Sequence, residues 1–328
     1  MFKNLVLISF ISLPLASENL LDIYNEALDN DPQYKSSEYS LLAGKEFVVQ
    51  GRAGLLPNVT LSGSTNWNEY YQFDELQSAY NNSSVTARLT QPLFRLDSWF
   101  NFKRSKKLTD ASEADFAYAQ QNLIIRTVEK YFGVLRAIDN LNAAVSEEKA
   151  IKKQLDQIQQ RFEVGLSAIT EVQEAQLAFD LSVAAKIRSE GALFNAREEL
   201  NSLIGREIFS IDSLKADIVP ENPNPTSKQE WVDIALKNNY RLQASVLRRD
   251  ASQDSARSSA SEHLPKINIV GTESESNTNQ YTYEGFEDLG FQAPSETQRK
   301  NYSLSLSIPI SQGGAVSCLL YTSPSPRD

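Results

Sequence analysis

Several stretches of this chain alternate apolar and polar residues with a period of two. Val59, Leu61, Gly63, Thr65 and Trp67 point one way, and Thr60, Ser62, Ser64 and Asn66 the other. Val85, Ala87 and Leu89 alternate with Ser84, Thr86, Arg88 and Thr90, and Tyr302, Leu304, Leu306, Ile308 and Ile310 with Ser303, Ser305 and Ser307. Such a period gives each strand one apolar and one polar face. The runs are about 10 residues long, enough for a tilted strand to cross a bilayer. Tyr70, Tyr71, Tyr281 and Tyr283 stand near the loop ends, where they suit a membrane interface. On periodicity alone, an ordinary half-buried antiparallel sheet fits equally well.

Between the strand runs the period changes. From Asp97 to Glu163 there is no Pro and a single Gly, Gly133. Ile124, Val128, Tyr131, Leu135, Ile138, Leu141 and Val145 step by three and four, as do Ile151, Leu155, Ile158 and Phe162. This predicts one long helix over 97–163 with a heptad-like seam. Gly165 offers a left-handed stop and Ser167 an N-cap for a returning helix over 168–204. That helix carries Val172, Gln176, Phe179, Val183, Ile187, Glu190 and Phe194 at similar steps. At about 1.5 Å per residue the outgoing helix spans roughly 100 Å and the returning one about 55 Å. A helix over 32–55, before the first strand, adds about 36 Å. The two shorter helices can therefore pair the long one along its length.

The chain also repeats itself. "GLLPNVTLSG" at 54–63 matches "EHLPKINIVG" at 262–271, and "IYNEALDNDPQYKSSEYS" at 23–40 lies over "WVDIALKNNYRLQASVLR" at 231–248. "VTARLTQPLF" at 85–94 matches "YSLSLSIPIS" at 302–311, with Pro92 over Pro309. The second copy holds nine extra residues between its strand runs, which suggests a surface loop. The expected organisation is a first repeat over 18–205, with a β-hairpin at about 58–94. A linker over 206–230 and a second, incomplete repeat over 231–317, with a hairpin at about 266–311, follow.

The ends modify this picture. Residues 1–17 combine Lys3, an apolar run from Leu5 to Leu15 and the small pair Ala16-Ser17, the pattern of a secretory signal peptide. Residues 318–328, "CLLYTSPSPRD", hold the sole Cys and break from the preceding pattern. They resemble a translated sequencing adapter and are expected to be an artefact.

Composition narrows the chemistry. A net charge of −10 with no basic patch argues against nucleic acid as a partner. His263 is the lone His, so zinc sites and His-activated nucleophiles lack their residues, and no cofactor or metal is expected. Glu147-Glu148 and Glu198-Glu199 are neighbours on helices, so their side chains diverge and read as solvated faces. No Gly-rich phosphate loop occurs.

"ENLLDIYNEALDNDP", the two Leu-Pro strand openings, "TQPLF" and "LDQIQQRFEVGLSAITEVQEAQ" at 155–176 together resemble the TolC family of outer-membrane efflux ducts. The resemblance runs from Glu18 to about Ser317. It implies an α+β membrane protein in which long antiparallel helical hairpins build a periplasmic α-barrel. Each protomer of a homotrimer would give four strands to a twelve-stranded β-barrel in outer-membrane lipid, and open strand edges are not tolerated there. The implied function is passive export, from periplasm to exterior, of small molecules or proteins in a tripartite efflux pump or type I secretion system. The implied partners are a periplasmic adaptor (membrane fusion protein) and an inner-membrane pump. Arg161, Val164, Gly165 and Leu166 match the family's adaptor-docking hairpin tip, and Thr170 and Glu171 match positions of its periplasmic gate. The family usually carries Asp where Glu171 stands. A second long hairpin, with the partner side of the gate, is expected to continue from Gly313-Gly314.

Two rival classes stand beside this reading. A periplasmic coiled-coil adaptor or scaffold accounts for 97–204 but not for strand hairpins at equivalent repeat positions. An exported enzyme acting through carboxylates needs a compact cleft, which a long uninterrupted helix does not readily build.

Overall fold

The computed structural model of the chain describes residues 17–214, 222–281 and 295–322. Outside them lie 1–16 of the expected signal peptide, 215–221 of the expected linker, 282–294 with Tyr283, and 323–328 of the C-terminal stretch.

The repeat is visible in the elements themselves. α1 (Leu20–Asn30) and α2 (Pro32–Ala53) precede β1 (Asn58–Gln72) and β2 (Glu75–Phe94). α3 (Leu96–Glu163) and α4 (Ile169–Ile204) form the helical hairpin. α5 (Lys228–Asn238), α6 (Tyr240–Ala260), β3 (Lys266–Tyr281) and β4 (Ser295–Ser307) then repeat the opening, and α7 (Ala315–Thr322) follows. Leu20 and Lys228, Pro32 and Tyr240, and Asn58 and Lys266 each start matching elements at one constant offset.

The break between α1 and α2 has a clear cause. Asp31 ends α1 by donating its backbone N–H to the Ala27 carbonyl at 2.9 Å. Its carboxylate then accepts from the Tyr34 N–H at 3.0 Å, and Pro32 occupies the first helical position, where no N–H is needed. The second carboxylate oxygen is held by Arg126 of α3, at 3.3 Å from Nη1, while Nη2 pairs with the first. Asp31 is 3% exposed, so this pair is an internal one.

By its contacts the chain divides into two compact units, whose boundaries fall within α2 and α3 and between α5 and α6. In the first, Ile23 and Ala27 of α1 pack with Leu123, Tyr131, Val134 and Leu135 of α3 and Leu200, Leu203 and Ile204 of α4. The linker start joins this core through Ile208, and the Tyr131 hydroxyl donates to the Asp212 carbonyl at 2.9 Å. Arg206 bridges Glu26 at 2.6 Å and Glu18 at 2.8 Å, and those carboxylates raise its pKa further. α3 and α4 run antiparallel: Lys186 pairs with Glu148 at 3.0 Å, and Lys152 lies over the Phe179 ring at 5.2 Å. Glu148 is thus engaged across the hairpin, not merely solvated.

The expected seam of α3 holds at Tyr131, Leu135 and Leu155, which are buried, and departs from the expected residues at its start and on α4. Leu123 is fully buried while Ile124 is 48% exposed, and on α4 Ile187 and Phe194 are about 60% exposed while Leu193 packs on the core. Both helices carry apolar residues on more than one face, and spacing alone does not say which face meets the chain's own partner helix. Ser167 is also not the N-cap of α4: Ala168 holds that place, without a side-chain hydrogen bond.

In the second unit α2 meets α3 through small residues. A Cβ on Gly44 would lie 2.4 Å from Ser112 Cβ, and one on Gly51 would lie 2.5 Å from Ser105 Cβ. Gly44 and Gly51, like Ser105 and Ser112, are seven residues apart, so the helices approach closely once per heptad. The four strands form one antiparallel sheet in the order β1-β2-β3-β4, so the repeats join at the β2–β3 ladder. The strands have 15, 20, 16 and 13 residues, longer than the alternating runs themselves.

Two details correct the sequence reading. β4 ends at Ser307, so Ile308, Pro309 and Ile310 lie beyond the strand. Pro92 stays inside β2, at a register irregularity past the point where β1 begins opposite Thr90. One side of β2 is already an edge there, which is where a strand tolerates the missing N–H.

Candidate functional site

Two regions carry the features expected of a duct: the sheet and the α3–α4 tip. In the sheet, residues directly opposite one another share a face. Val59 pairs with Leu89, Leu89 with Gly271, and Gly271 with Tyr302. Ile269 pairs with Leu304 and Ile267 with Leu306 on the same face. Leu61, Trp67, Tyr302 and Leu304 on this face are 69–79% exposed. Towards the β1–β2 turn the same face passes to Glu273, paired with Lys300, and Glu275, so the apolar part is a band at the helix end of the sheet. An apolar band left uncovered marks an interaction with lipid or protein. The opposite face carries Ser, Thr and Asn, for example Ser64 and Ser84, whose hydroxyls are 3.0 Å apart. β1 and β4 each pair on one side only, leaving two open edges.

The β1–β2 turn is two residues, Phe73 and Asp74, both at positive φ (53° and 63°). That geometry matches the twist of a hairpin, though neither residue is the Gly or Asn that usually signals it. Near this end Tyr70 and Tyr71 are more than half exposed, and Tyr71 donates to Glu69 at 2.9 Å.

At the opposite end, the strands meet the helices through an ionic cluster. Arg95 grips Asp97 in a two-pronged contact (2.9 and 2.7 Å), Lys266 stands 3.4 Å away, and Ser258 donates to the Asp97 carbonyl. Burial works to raise the Asp97 pKa. The Arg95 and Ser98 hydrogen bonds and the Arg95 and Lys266 charges outweigh it and lower the pKa to about 2. His263, in the turn that precedes β3, is exposed.

The hairpin tip closes by a Schellman cap. Gly165, at φ +78°, donates to the Phe162 carbonyl at 2.9 Å, and the Leu166 N–H reaches the Arg161 carbonyl at 2.8 Å. The structure thereby brings Arg161, Val164, Gly165 and Leu166 into one cap. Val164 and Leu166 are 70% and 69% exposed, an apolar pair presented to the outside. Thr170 and Glu171 lie in the first turn of α4, both exposed, and the Ser167 hydroxyl donates to the Glu171 carboxylate. That bond ties the expected gate residue Glu171 back onto the tip.

The Gly44/Ser112 and Gly51/Ser105 contacts escaped the sequence reading, because small residues leave no mark in hydrophobic periodicity. Their heptad spacing was the available signal. Among the described residues, no group of three or more His, Cys, Asp or Glu could hold a metal ion. No described helix is long and apolar enough to cross a membrane, a statement that does not bear on strands.

A long helical hairpin joined to a four-stranded sheet with one lipid-compatible face defines a class of outer-membrane channel subunits. The profile of the family described as outer membrane efflux protein matches residues 23–206, and the chain belongs to this family. The outer membrane protein TolC of Vibrio cholerae is 33% identical over 261 residues, covering 80% of this chain and 59% of that protein. The alkaline protease secretion protein AprF of Pseudomonas aeruginosa is 27% identical, covering 90% and 61%. In fold the chain is similar to the Campylobacter jejuni CmeC outer membrane channel, with a TM-score of 0.74 at 18% identity over 94% of this chain and 65% of that one. The chain thus spans about 60% of the length of the curated relatives it matches.

Proposed function

We propose that this chain is the outer-membrane subunit of a passive export duct, leading small molecules or proteins from the periplasm to the exterior. The observation that carries it is a sheet with an exposed apolar face, a polar face and two open edges. Neither edge is stable in lipid, where every backbone group needs a partner. With four antiparallel strands per chain, β4 of one copy can pair antiparallel with β1 of the next. Three copies then close a twelve-stranded barrel with its polar face around the lumen, in keeping with the family resemblance. The chain performs no catalysis in this reading. Its partners are outer-membrane lipid, a periplasmic adaptor and an inner-membrane pump.

The exposed Val164–Leu166 cap is the adaptor's docking point, with Arg161 beside it, and Thr170 and Glu171 belong to the gate. The names of the relatives support both efflux and protein secretion as the duct's task. Introducing Cys at Leu61 of β1 and Leu304 of β4 tests the closure. Crosslinks linking three copies in isolated outer membranes are the expected result. A monomer released from membranes by salt or alkali, without detergent, would instead favour a peripheral adaptor.

A further inference from the structure

Between Asp97 and Asp110 the start of α3 carries Lys103, Arg104, Lys106 and Lys107 and no acid, in a chain of net charge −10. Asp97, at its head, is already held by Arg95 and Lys266. Arg104 turns aside towards Asn101, at 3.4 Å. Lys103, Lys106 and Lys107 form no salt bridge among the described residues. Lys103 instead places its Nζ 5.8 Å from the Trp99 ring and 5.6 Å from the Phe100 ring.

Neighbouring helices cover only one side of this segment. Ser98, Ser105 and Ser112 stand against α2, while Asp97 and Asp115 meet Ser258 and Arg248 of α6. Counted at about 100° per residue, these two contact lines are only about 100° apart around α3. Trp99, Lys103 and Lys106 fall in the middle of the wide free arc, roughly 80–140° from Ser98, with Lys107 at its flank. Trp99 is 45% exposed, and Lys103 and Lys106 are exposed with it. In any closed ring the neighbours of a member lie towards the inside, so this free arc looks away from the lumen.

Its height along the duct is set by the sheet. The apolar band ends at Phe94, Ile267 and Leu306, and α3 begins two residues after Phe94. At about 1.5 Å per residue, Lys103 stands about 10 Å and Lys107 about 16 Å along the helix. Helical side chains lean towards the N-terminus, here towards the sheet, as the Lys103 ammonium above Trp99 and Phe100 does. A headgroup layer is roughly 5–8 Å deep, so the ammonium groups reach its edge. Trp beside Lys suits that level, the ring in the interface and the charge in water. The acids next to this arc, Asp110 and Glu113, come a turn or more beyond Lys106, further from the lipid.

We propose that Lys103, Lys106 and Lys107, gathered around Trp99, bind the headgroups of anionic glycerophospholipids in the leaflet on the helix side of the sheet. The proposal rests on the channel reading above. Clustered lysines at a membrane surface attract anionic lipid by charge, and Trp99 fixes the depth at which they do so.

Quenching of Trp99 by brominated lipids tests it, with W67F/W231F leaving Trp99 as the sole tryptophan of the full chain in reconstituted bilayers. Brominated phosphatidylglycerol should compete for the Trp99 surroundings several-fold better than brominated phosphatidylcholine. K103Q/K106Q/K107Q should bring that ratio close to one, K103R/K106R/K107R should keep it, and raised salt should weaken it. Equal quenching by the two lipids, or an unchanged ratio in the Gln variant, overturns the site. L61W in a W67F/W99F/W231F chain reports on the apolar band itself. Quenching there without quenching of Trp99 overturns the lipid site and leaves the duct standing. Quenching at neither position removes the membrane-embedded sheet and the site with it.

Discussion

α2 and α6 occupy the same place in the two repeats, each leading from a helix break into a strand. They are built from different residues. α2 starts at Asp31, whose buried carboxylate Arg126 holds, and it offers Gly44 and Gly51 to α3. The matching positions ahead of and along α6 are Asn239, Ser252 and Ser259, and the buried residues of α6 are Ala244, Ala251 and Asp254. A duplicated backbone plan has therefore been kept while its fixing points diverged. The buried Asp31–Arg126 pair and the Gly44 and Gly51 contacts are all on the first repeat, where the long helix α3 must be positioned. Burial of an ion pair is a costly means of doing this, and it contributes registry more than net stability.

The largest asymmetry is expected at the helix breaks. Asp31→Ala removes the cap of α2 and leaves the Arg126 guanidinium without its partner, its Nε already buried and unpaired. Removing one member of a buried pair costs about 3 kcal/mol or more. Asn239→Ala removes a neutral side chain at the matching cap position, about 1 kcal/mol. Urea unfolding midpoints of the two variants in detergent check the ranking. Equal losses would mean that Arg126 finds water as readily as it finds Asp31.

A smaller difference is expected along the helices. Gly44→Ala places a methyl group 2.4 Å from Ser112 Cβ, and the helices must separate to admit it. Overpacking of this kind costs about 1–3 kcal/mol, against a gain of about 1 kcal/mol in helix propensity. Ser112→Gly in the same chain should restore much of the loss, a coupling a double-mutant cycle reads directly. Ser252→Ala at the matching place in α6 should change stability by less than about 0.5 kcal/mol. The Ser252 hydroxyl is satisfied within its own helix by the Arg248 carbonyl, and Ala keeps the helix.

What the sequence made legible follows from the same contrast. Alternation exposed the strands because each has one face toward lipid-compatible surroundings, and Leu-Pro marked where β1 and β3 begin. The long helix was plain from its lack of Pro and near lack of Gly. Its seam was legible at Tyr131, Leu135 and Leu155 but not at its start, because Leu123 and Ile124 are both apolar and only the core chooses between them. Ile187 and Phe194 misled for a related reason: they form a second apolar stripe on α4, suited to a neighbour outside this chain. Strand ends failed at Pro309, where the match with Pro92 was real in sequence but not in pairing. The tip was readable at Gly165, since few residues other than Gly adopt its positive φ at a helix end. The tie from Ser167 to Glu171 was not, because Ser167 fitted the commoner role of N-cap.

The smallest expected effect lies where the repeats meet. Arg95 and Asp97 belong to the first, Ser258 and Lys266 to the second; Arg95 and Lys266 meet on the Asp97 carboxylate, and Ser258 donates to the Asp97 backbone carbonyl. Because the folded protein holds the Asp97 pKa at about 2, below the ordinary carboxylate value of about 3.9, folding favours its ionised form. The stabilisation is fully present above pH ~4 and fades as pH falls towards 2, since the unfolded chain takes up the proton first. Asp97→Asn should therefore lower stability at pH 7 and flatten its decline between pH 4 and 2. Lys266→Gln should do the same more weakly, because Lys266 adds charge at 3.4 Å while Arg95 supplies both hydrogen bonds. Unfolding midpoints across that pH range measure the slope. If Lys266→Gln left it unchanged while Asp97→Asn removed it, the clamp would belong to the first repeat alone, and the second would meet it only through Ser258.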